Sequence, residues 1–240
     1  MAVLFISDLH LCTSRPEISQ VFFDFLRGPA LDAESLYILG DLFEYWAGDD
    51  DLVDPFNGSV AAALAECSRA GPVLRFMHGN RDFLLDGDFA KACGGSLLDD
   101  PYALDLFGTP TLLMHGDTLC TDDTDYQKFR VQVRDPAWQK NFLALPLAAR
   151  KRQIEAVRQT SESEKQRKPP EIMDVNQAAV EALLRERSYP RLIHGHTHRP
   201  ARHVHSVDGR SCERWVLSDW YRTGSYLRCD ESGCRPVQLS

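Results

Sequence analysis

Several things are missing from this chain. No run of roughly 18 apolar residues, the minimum for a bilayer-crossing helix, occurs in it. Its opening Met-Ala-Val-Leu-Phe-Ile-Ser-Asp has no basic region and reaches an acid at once, so no secretory signal is expected. Positive charge is short: 27 Lys and Arg stand against 35 Asp and Glu, a net charge of −8. General binding to a phosphate backbone needs the opposite balance, so no nucleic-acid partner is expected. The seven cysteines are scattered and odd in number. Free thiols in a cytoplasmic setting are the plain reading. Cys229 and Cys234 flank Asp-Glu-Ser-Gly, and spacing alone leaves open whether they pair. Internal repeats are absent too.

Against these absences stands one repeated event. Val3 to Ile6, Leu36 to Leu39, Val73 to Met77, Thr111 to Met114 and Arg191 to Ile193 are short apolar runs, each the length of a buried strand. Each ends in a polar loop: Ser-Asp-Leu-His, Gly-Asp, His-Gly-Asn-Arg-Asp, His-Gly-Asp and His-Gly-His-Thr-His. Helical spacing marks Ser19 to Leu26 and Ser59 to Arg69, closed by Gly28-Pro29 and Gly71-Pro72. Strands alternating with helices predict a layered α/β core. Beyond Arg202, turn signals at Asp208-Gly209 and Ser232-Gly233 predict a β-rich end. In layered α/β folds ligands bind beyond the carboxyl ends of strands, so five such loops can meet at one point. Gly40, Gly79, Gly116 and Gly195 would let the backbone turn sharply and come close to an ion.

The residues at these ends are metal donors. Asp8 and His10 lie two apart and would share one side of extended backbone. Asp41 offers a carboxylate, Asn80 a neutral oxygen, and His115, His196 and His198 imidazole nitrogen. Carboxylate mixed with imidazole suits Mn²⁺, Fe²⁺ or Zn²⁺ better than Mg²⁺ or Ca²⁺. No cysteine joins these donors, which argues against a structural zinc site. His194, His203 and His205 fall outside the donor set; the first is a candidate for support behind it.

The stretch between His115 and His194 has a different character. Tyr126, Phe129 and Val133, then Trp138, Phe142 and Leu145 beyond Pro136, repeat at helical spacing. Residues 147–168 carry seven basic side chains against three acidic ones. Val175 to Arg187 reads as a further helix. We expect one domain over residues 1–240, with residues 122–167 forming a helical insertion over the site.

In order, Asp8-Leu9-His10, Gly40-Asp41-Leu42-Phe43-Glu44, Gly79-Asn80-Arg81-Asp82, His115-Gly116-Asp117 and Gly195-His196-Thr197-His198 resemble the signature blocks of the calcineurin-like metallophosphoesterases. The resemblance implies a sandwich of two mixed β-sheets flanked by helices. It implies one metal on Asp8, His10 and His198, another on Asn80, His115 and His196, and Asp41 bridging them. The longer wording at 40–46, 79–84 and 115–123 is similar to the branch of that family acting on UDP-2,3-diacylglucosamine in lipid A biosynthesis. That branch implies two Mn²⁺, cleavage of a pyrophosphate bond in a nucleotide-linked glycolipid, and peripheral attachment to the cytoplasmic face of the inner membrane. It implies substrate contacts at Asn80, Arg81, Asp123, Ser161, Lys165, Lys168 and His196, with Arg81, Asp41 and His196 in the catalytic machinery.

Arg81 adds an argument from chemistry. Many relatives that cleave phosphate esters carry His directly after this Gly-Asn, where it can protonate an alkoxide. A guanidinium stays protonated and is a poor acid. It suits a leaving group that needs no proton, such as a phosphate monoester with a second pKa of about 6. Pyrophosphate cleavage is therefore favoured over ester cleavage. The other reading of Arg81 is a structural pair with Asp82 or Asp117. For the basic segment the alternatives are phosphate or headgroup binding and an ordinary solvated helix face. Trp138 and Phe142 would line an acyl groove or pack the insertion onto the core. A general phosphodiesterase, or a scaffold that has lost chemistry, are the competing functions.

Overall fold

The computed structural model describes residues 2–165, 170–188 and 190–239, leaving aside the side chains at 160, 162–165, 170 and 171. Strands β1 (Ala2–Ile6), β2 (Ala33–Leu39), β3 (Val73–Met77) and β4 (Gly95–Leu98) run parallel, and β10 (Ser225–Asp230) and β11 (Gly233–Gln238) extend them antiparallel. The sheet order is β11-β10-β1-β2-β3-β4. A second sheet has the order β5-β6-β7-β9-β8, from β5 (Tyr102–Leu106), β6 (Thr109–Met114), β7 (Arg191–His194), β8 (Ala201–Val207) and β9 (Arg210–Val216). Its three central strands are parallel, and the outer two antiparallel. Both sheets are mixed, as expected.

Side-chain alternation builds the layers. Val3, Phe5, Leu39 and Met77 of the first sheet meet Leu106, Leu113 and Ile193 of the second in one apolar layer. Their neighbours Leu4, Ile6, Leu36, Ile38 and Phe76 face the other way, onto helices α1 (Pro16–Arg27) and α2 (Pro55–Ala70). On the far side of the second sheet, Leu112 and Leu192 pack with Val180 and Leu184 of α7 (Gln177–Glu186). Central strands are therefore apolar on both faces, which is why they read as continuous runs.

Capping sets most helix starts. Asp54 accepts from the backbone of Phe56 and Asn57 ahead of α2, with Pro55 as its first residue. α3 (Gly87–Ala92) begins at Asp86. In the insertion, Asp123 starts α4 (Thr124–Val133) and Asp135, followed by Pro136, starts α5 (Pro136–Leu143). α6 runs Leu147–Lys165. Asn176 caps α7, which therefore begins at Gln177 and not at Val175. Sequence reading had not marked α3, β4 or β5. Their apolar runs are too short and interrupted to stand out, and tertiary packing forms them. The C-terminal hairpins turn where expected, and Cys229 and Cys234 face each other across β10 and β11 in a disulfide.

Candidate metal centre

All seven candidate donors lie at carboxyl ends of neighbouring strands: Asp8 and His10 after β1, Asp41 after β2, Asn80 after β3, His115 after β6, His196 and His198 after β7. Five of them adopt left-handed backbone, with φ of 56° at Asp8, 49° at His10, 53° at Asp41, 68° at His196 and 55° at His198. Such angles are costly for residues with a Cβ and persist where the surroundings over-determine them. Here cross-loop bonds do so: Asp8 N–H to the Gly40 carbonyl at 3.1 Å, His10 N–H to that of Asp41 at 2.9 Å, and Gly195 N–H to that of His115 at 2.9 Å. Asp8 and His10 thus converge through left-handed turns, not through the extended backbone expected for them.

The donors cluster in two groups. Carboxylate and imidazole atoms of Asp8, His10 and His198 lie within 4.8 Å of one another, as do those of Asp8, Asp41 and His115. His10 Nε2 and His198 Nε2 face each other at 3.4 Å, and His198 Nε2 is 3.4 Å from Asp8 Oδ1. Asn80 Oδ1 lies 3.0 Å from His115 Nε2 and 2.8 Å from His196 Nδ1. Asp41 stands between the groups, Oδ2 at 3.7 Å from His10 and Oδ1 at 3.9 Å from His115.

These residues fit divalent cations. Asp8, Asp41 and His115 are fully or almost fully buried, and Asp8 Oδ1 is a buried acceptor that no hydrogen bond among the described residues satisfies. Buried carboxylates with unspent oxygens, faced by several imidazoles, suit a cation far better than they suit each other. Titration reflects the crowding. Burial opposes the charge on Asp8, but the His198 imidazole 3.4 Å from its Oδ1 and the charges of His115 and His10 hold its carboxyl well below the usual range. Burial raises Asp41. Burial also opposes charge on His115, yet the carboxylates of Asp41, Asp8 and Asp117 lift it to about 9. Without a cation, the centre retains a proton that free side chains would release.

Packing around the donors is tight. A Cβ on Gly79 would collide with the Asp41 backbone nitrogen and carboxylate, its carboxyl carbon 2.8 Å away, and one on Gly195 would collide with Ser7 and Asp8. Gly40 and Gly116 do adopt positive φ, as a sharp turn requires. Gly79 and Gly195 do not; they are needed for space. Asp82, fully buried, accepts from the backbone N–H of Gly79 and Leu42, each at 2.8 Å, and of Asp41 at 3.2 Å. Asp82 is thus committed to backbone, and Asp117 pairs with Arg130 at 2.7 Å. Neither takes the Arg81 guanidinium, which has Glu44 at 4.0 Å, while the Arg81 backbone N–H donates to Asp41 Oδ1 at 2.7 Å.

Several participants had not been marked from sequence. Glu44 receives Arg15 at 2.9 Å and Arg158 of α6 at 2.8 Å, and Tyr221 stacks on His10 at 5.2 Å. Glu44 sits inside the 40–44 block, so its position was a signal; Arg15, Arg158 and Tyr221 carry none. Three basic side chains of residues 147–168, namely Arg150, Lys151 and Arg158, take a further role and pair within the protein. Arg150, buried, binds the Ala47 carbonyl and Asp50, and Lys151 binds Asp51 at 2.6 Å and Asp54 at 3.3 Å. With Arg158, these side chains fasten α6 to the acidic stretch 44–54. His194 Nδ1–H donates to the Gly195 carbonyl at 2.9 Å and its Nε2 accepts from Arg214 at 3.1 Å, behind the donors, and His205 Nε2 also accepts from Arg214.

Beside the donors opens a cavity of about 380 Å³. Phe83 and Leu84, with Phe129, Val133, Trp138, Phe142, Ile154 and Val157 from α4, α5 and α6, give it apolar walls. Trp138 and Phe142 stack at 4.9 Å, line the cavity and join the core. Asn80, Arg81, Asp123, Ser161 and His196, five of the expected substrate contacts, line it. Asp123 also caps α4, accepting from Tyr126 N–H at 3.2 Å. Lys168 lies outside the described residues, as does the side chain of Lys165.

Comparison with known proteins agrees with this site. The family model for calcineurin-like phosphoesterases matches residues 1–200. A UDP-2,3-diacylglucosamine hydrolase of Aromatoleum aromaticum is 59% identical over 239 residues, covering 100% of this chain and 97% of that protein. A UDP-2,3-diacylglucosamine hydrolase of Cellvibrio japonicus is 49% identical, covering 97% of each. One of Stenotrophomonas maltophilia is 50% identical over 97% of this chain and 96% of its own length. With the signature blocks matched and relatives of this identity covered almost end to end, the chain belongs to the calcineurin-like phosphoesterases, a family of hydrolases, and to the same group within it as these three proteins.

Proposed function

We propose that the protein hydrolyses the pyrophosphate bond of UDP-2,3-diacylglucosamine, giving UMP and 2,3-diacylglucosamine 1-phosphate. The observation that carries this reading is the meeting of a metal-donor cluster and an apolar-walled cavity, with Arg81 and Asn80 where they join. A substrate with a diphosphate head and acyl chains has that polarity. The names of the relatives agree with it.

Two Mn²⁺ would be held, one by Asp8, His10 and His198, the other by Asn80, His115 and His196, with Asp41 shared. When bound, the ions supply positive charge to the phosphoryl oxygens and acidify water. The chain's own residues do the rest. Asn80 adds a donor without negative charge, which keeps the centre attractive to an anion. Arg81 pairs with the departing phosphate. Attack of water on the uridine-side phosphorus breaks the bond to the bridging oxygen, which leaves with the lipid phosphate. That monoester has a second pKa of about 6 and leaves without taking a proton. His196, packed at 5.9 Å against the Tyr126 ring, borders the reacting phosphate.

Residues 122–167 act as a lid within one domain spanning the chain, and α4, α5 and α6 shelter the acyl chains. No described helix is long and apolar enough to cross a membrane. Peripheral attachment to the cytoplasmic face of the inner membrane belongs to the same proposal and is supported by a substrate that carries acyl chains. Hydrolysis in ¹⁸O-water tests the reaction, with bis-p-nitrophenyl phosphate and a phosphopeptide as competing substrates. The expected result is preference for the acylated nucleotide sugar and label in UMP. Label in the lipid phosphate, or preference for either competitor, contradicts the proposal.

A further inference from the structure

The pocket proposed for the second ion, Asn80, His115 and His196, is assembled from two different sheets. Asn80 follows β3 of the first sheet; His115 and His196 follow β6 and β7 of the second. The sheets meet through an apolar layer, and apolar contact is not directional. Directional links must fix the distance between the two sets of loops to within hydrogen-bond tolerance, and His115 Nδ1 on the Leu39 carbonyl at 2.9 Å is one of them.

α4 spans that gap. Arg134, at its C-terminal end, donates to the Gly79 carbonyl at 2.9 Å, one residue before Asn80. Arg130 Nε donates to Asp117 Oδ2 at 2.7 Å, two residues after His115. Residues 130 and 134 are four apart and share a helix face. One rigid turn of helix therefore grips both loops. The Gly79 peptide is held from both ends, because its N–H donates to Asp82 at 2.8 Å while its carbonyl receives Arg134.

Arg134 has few other duties. Its guanidinium lies 5.4 Å over the Phe83 ring, no carboxylate among the described residues is within 4.0 Å, and it does not line the cavity. Burial lowers its pKa. Desolvating a guanidinium for a single carbonyl acceptor is unfavourable unless the position of that carbonyl matters. On the same helix, Phe129 and Val133 line the cavity.

We infer that Arg134 is a positioning residue for the second metal pocket, and that α4 sets the separation of Asn80 from His115. This rests on the two-ion reading above. It makes the first helix of the lid part of the metal-binding apparatus, so that a ligand seated against α4 and the second ion are linked through one element.

The test is titration of the chelator-stripped full chain with Mn²⁺, followed by electron paramagnetic resonance, with thermal melting of each variant alongside. The variants are Arg134→Met, which keeps the apolar stem and loses the donors, and Arg134→Gln, which keeps an N–H donor but is too short to reach. Both should bind the first ion as the wild type does and the second about 10- to 100-fold more weakly, losing the exchange-coupled signal of paired ions. Arg134→Lys should recover part of the loss. If the variants melt lower yet bind both ions as tightly as the wild type, or weaken both ions equally, the inference is wrong. A wild-type chain that takes up only one ion contradicts the two-ion reading itself, a different result from either of those.

Discussion

Replacing Gly79 with alanine probes how closely the two loops of the first sheet must approach. Gly79 is not in left-handed backbone, so alanine adds no conformational strain, and its effect isolates the added methyl. That methyl would sit 2.8 Å from the Asp41 carboxyl carbon. Ordinary carbon–carbon contact is about 3.5 Å or more, and the Asp41 backbone nitrogen and a carboxylate oxygen lie closer still, so Asp41 or the loop must give way by about 1 Å. Overpacking of this kind costs about 1–3 kcal/mol, and in a chain of this size each kcal/mol lowers Tm by about 2–4 °C. The variant should therefore fold and melt ~2–12 °C lower. Asp41 stands between both donor groups, so its displacement should be felt in chemistry more than in stability. A shift approaching 1 Å at a reacting centre costs about 100-fold in rate. Turnover of UDP-2,3-diacylglucosamine and metal content, measured on the same preparation, should show kcat down by that order and less than two Mn²⁺ per chain. Two ions per chain with kcat within about threefold of wild type would refute the reasoning, because Asp41 would then not be the residue on which the spacing depends.

Three further outcomes follow from the same site. In the metal-free protein His115 is raised from 6.5 to about 9, so its contribution to stability is full below 6.5 and is lost as pH rises through 9. The chelated protein should lose Tm across that window while Mn²⁺ affinity climbs, since binding must expel the proton; affinity independent of pH between 6.5 and 9 contradicts this. Arg81→Met should lower kcat on the acylated substrate by about 100-fold and leave metal content unchanged, and an unaltered kcat would remove Arg81 from the reaction. Val157, on the cavity wall and 45% exposed, can be changed to Glu with little effect on folding. KM for the acylated substrate should rise by about tenfold or more, with hydrolysis of bis-p-nitrophenyl phosphate unaffected; equal loss on both substrates would place the acyl chains elsewhere.

What could be read in the sequence was local. Strand ends followed at once by Asp, His or Asn marked all seven donors, because a strand buried on both faces is a continuous apolar run and its end is abrupt. Helix starts were less legible: apolar spacing puts the start of α7 at Val175, ahead of its cap at Asn176. Long-range partners were not legible. Nothing local tells Arg158 that it will meet Glu44, or Arg134 that it will meet Gly79, since those contacts exist only once α6 and α4 lie over the sheets. The basic character of residues 147–168 was plain; that Arg150 and Lys151 would be spent on Asp50, Asp51 and Asp54 depended on where the helix docks. The left-handed backbone at five donors was hidden for the same reason. Neither Asp nor His demands such angles, and the cross-loop hydrogen bonds impose them.

In the proposed reaction two cations share Asp41. Anomalous diffraction at the manganese edge, from crystals grown with Mn²⁺, measures this most directly. Two peaks about 3.5–4 Å apart, one on each side of the Asp41 carboxylate, are expected. A single peak, or two that both miss Asp41, would contradict it.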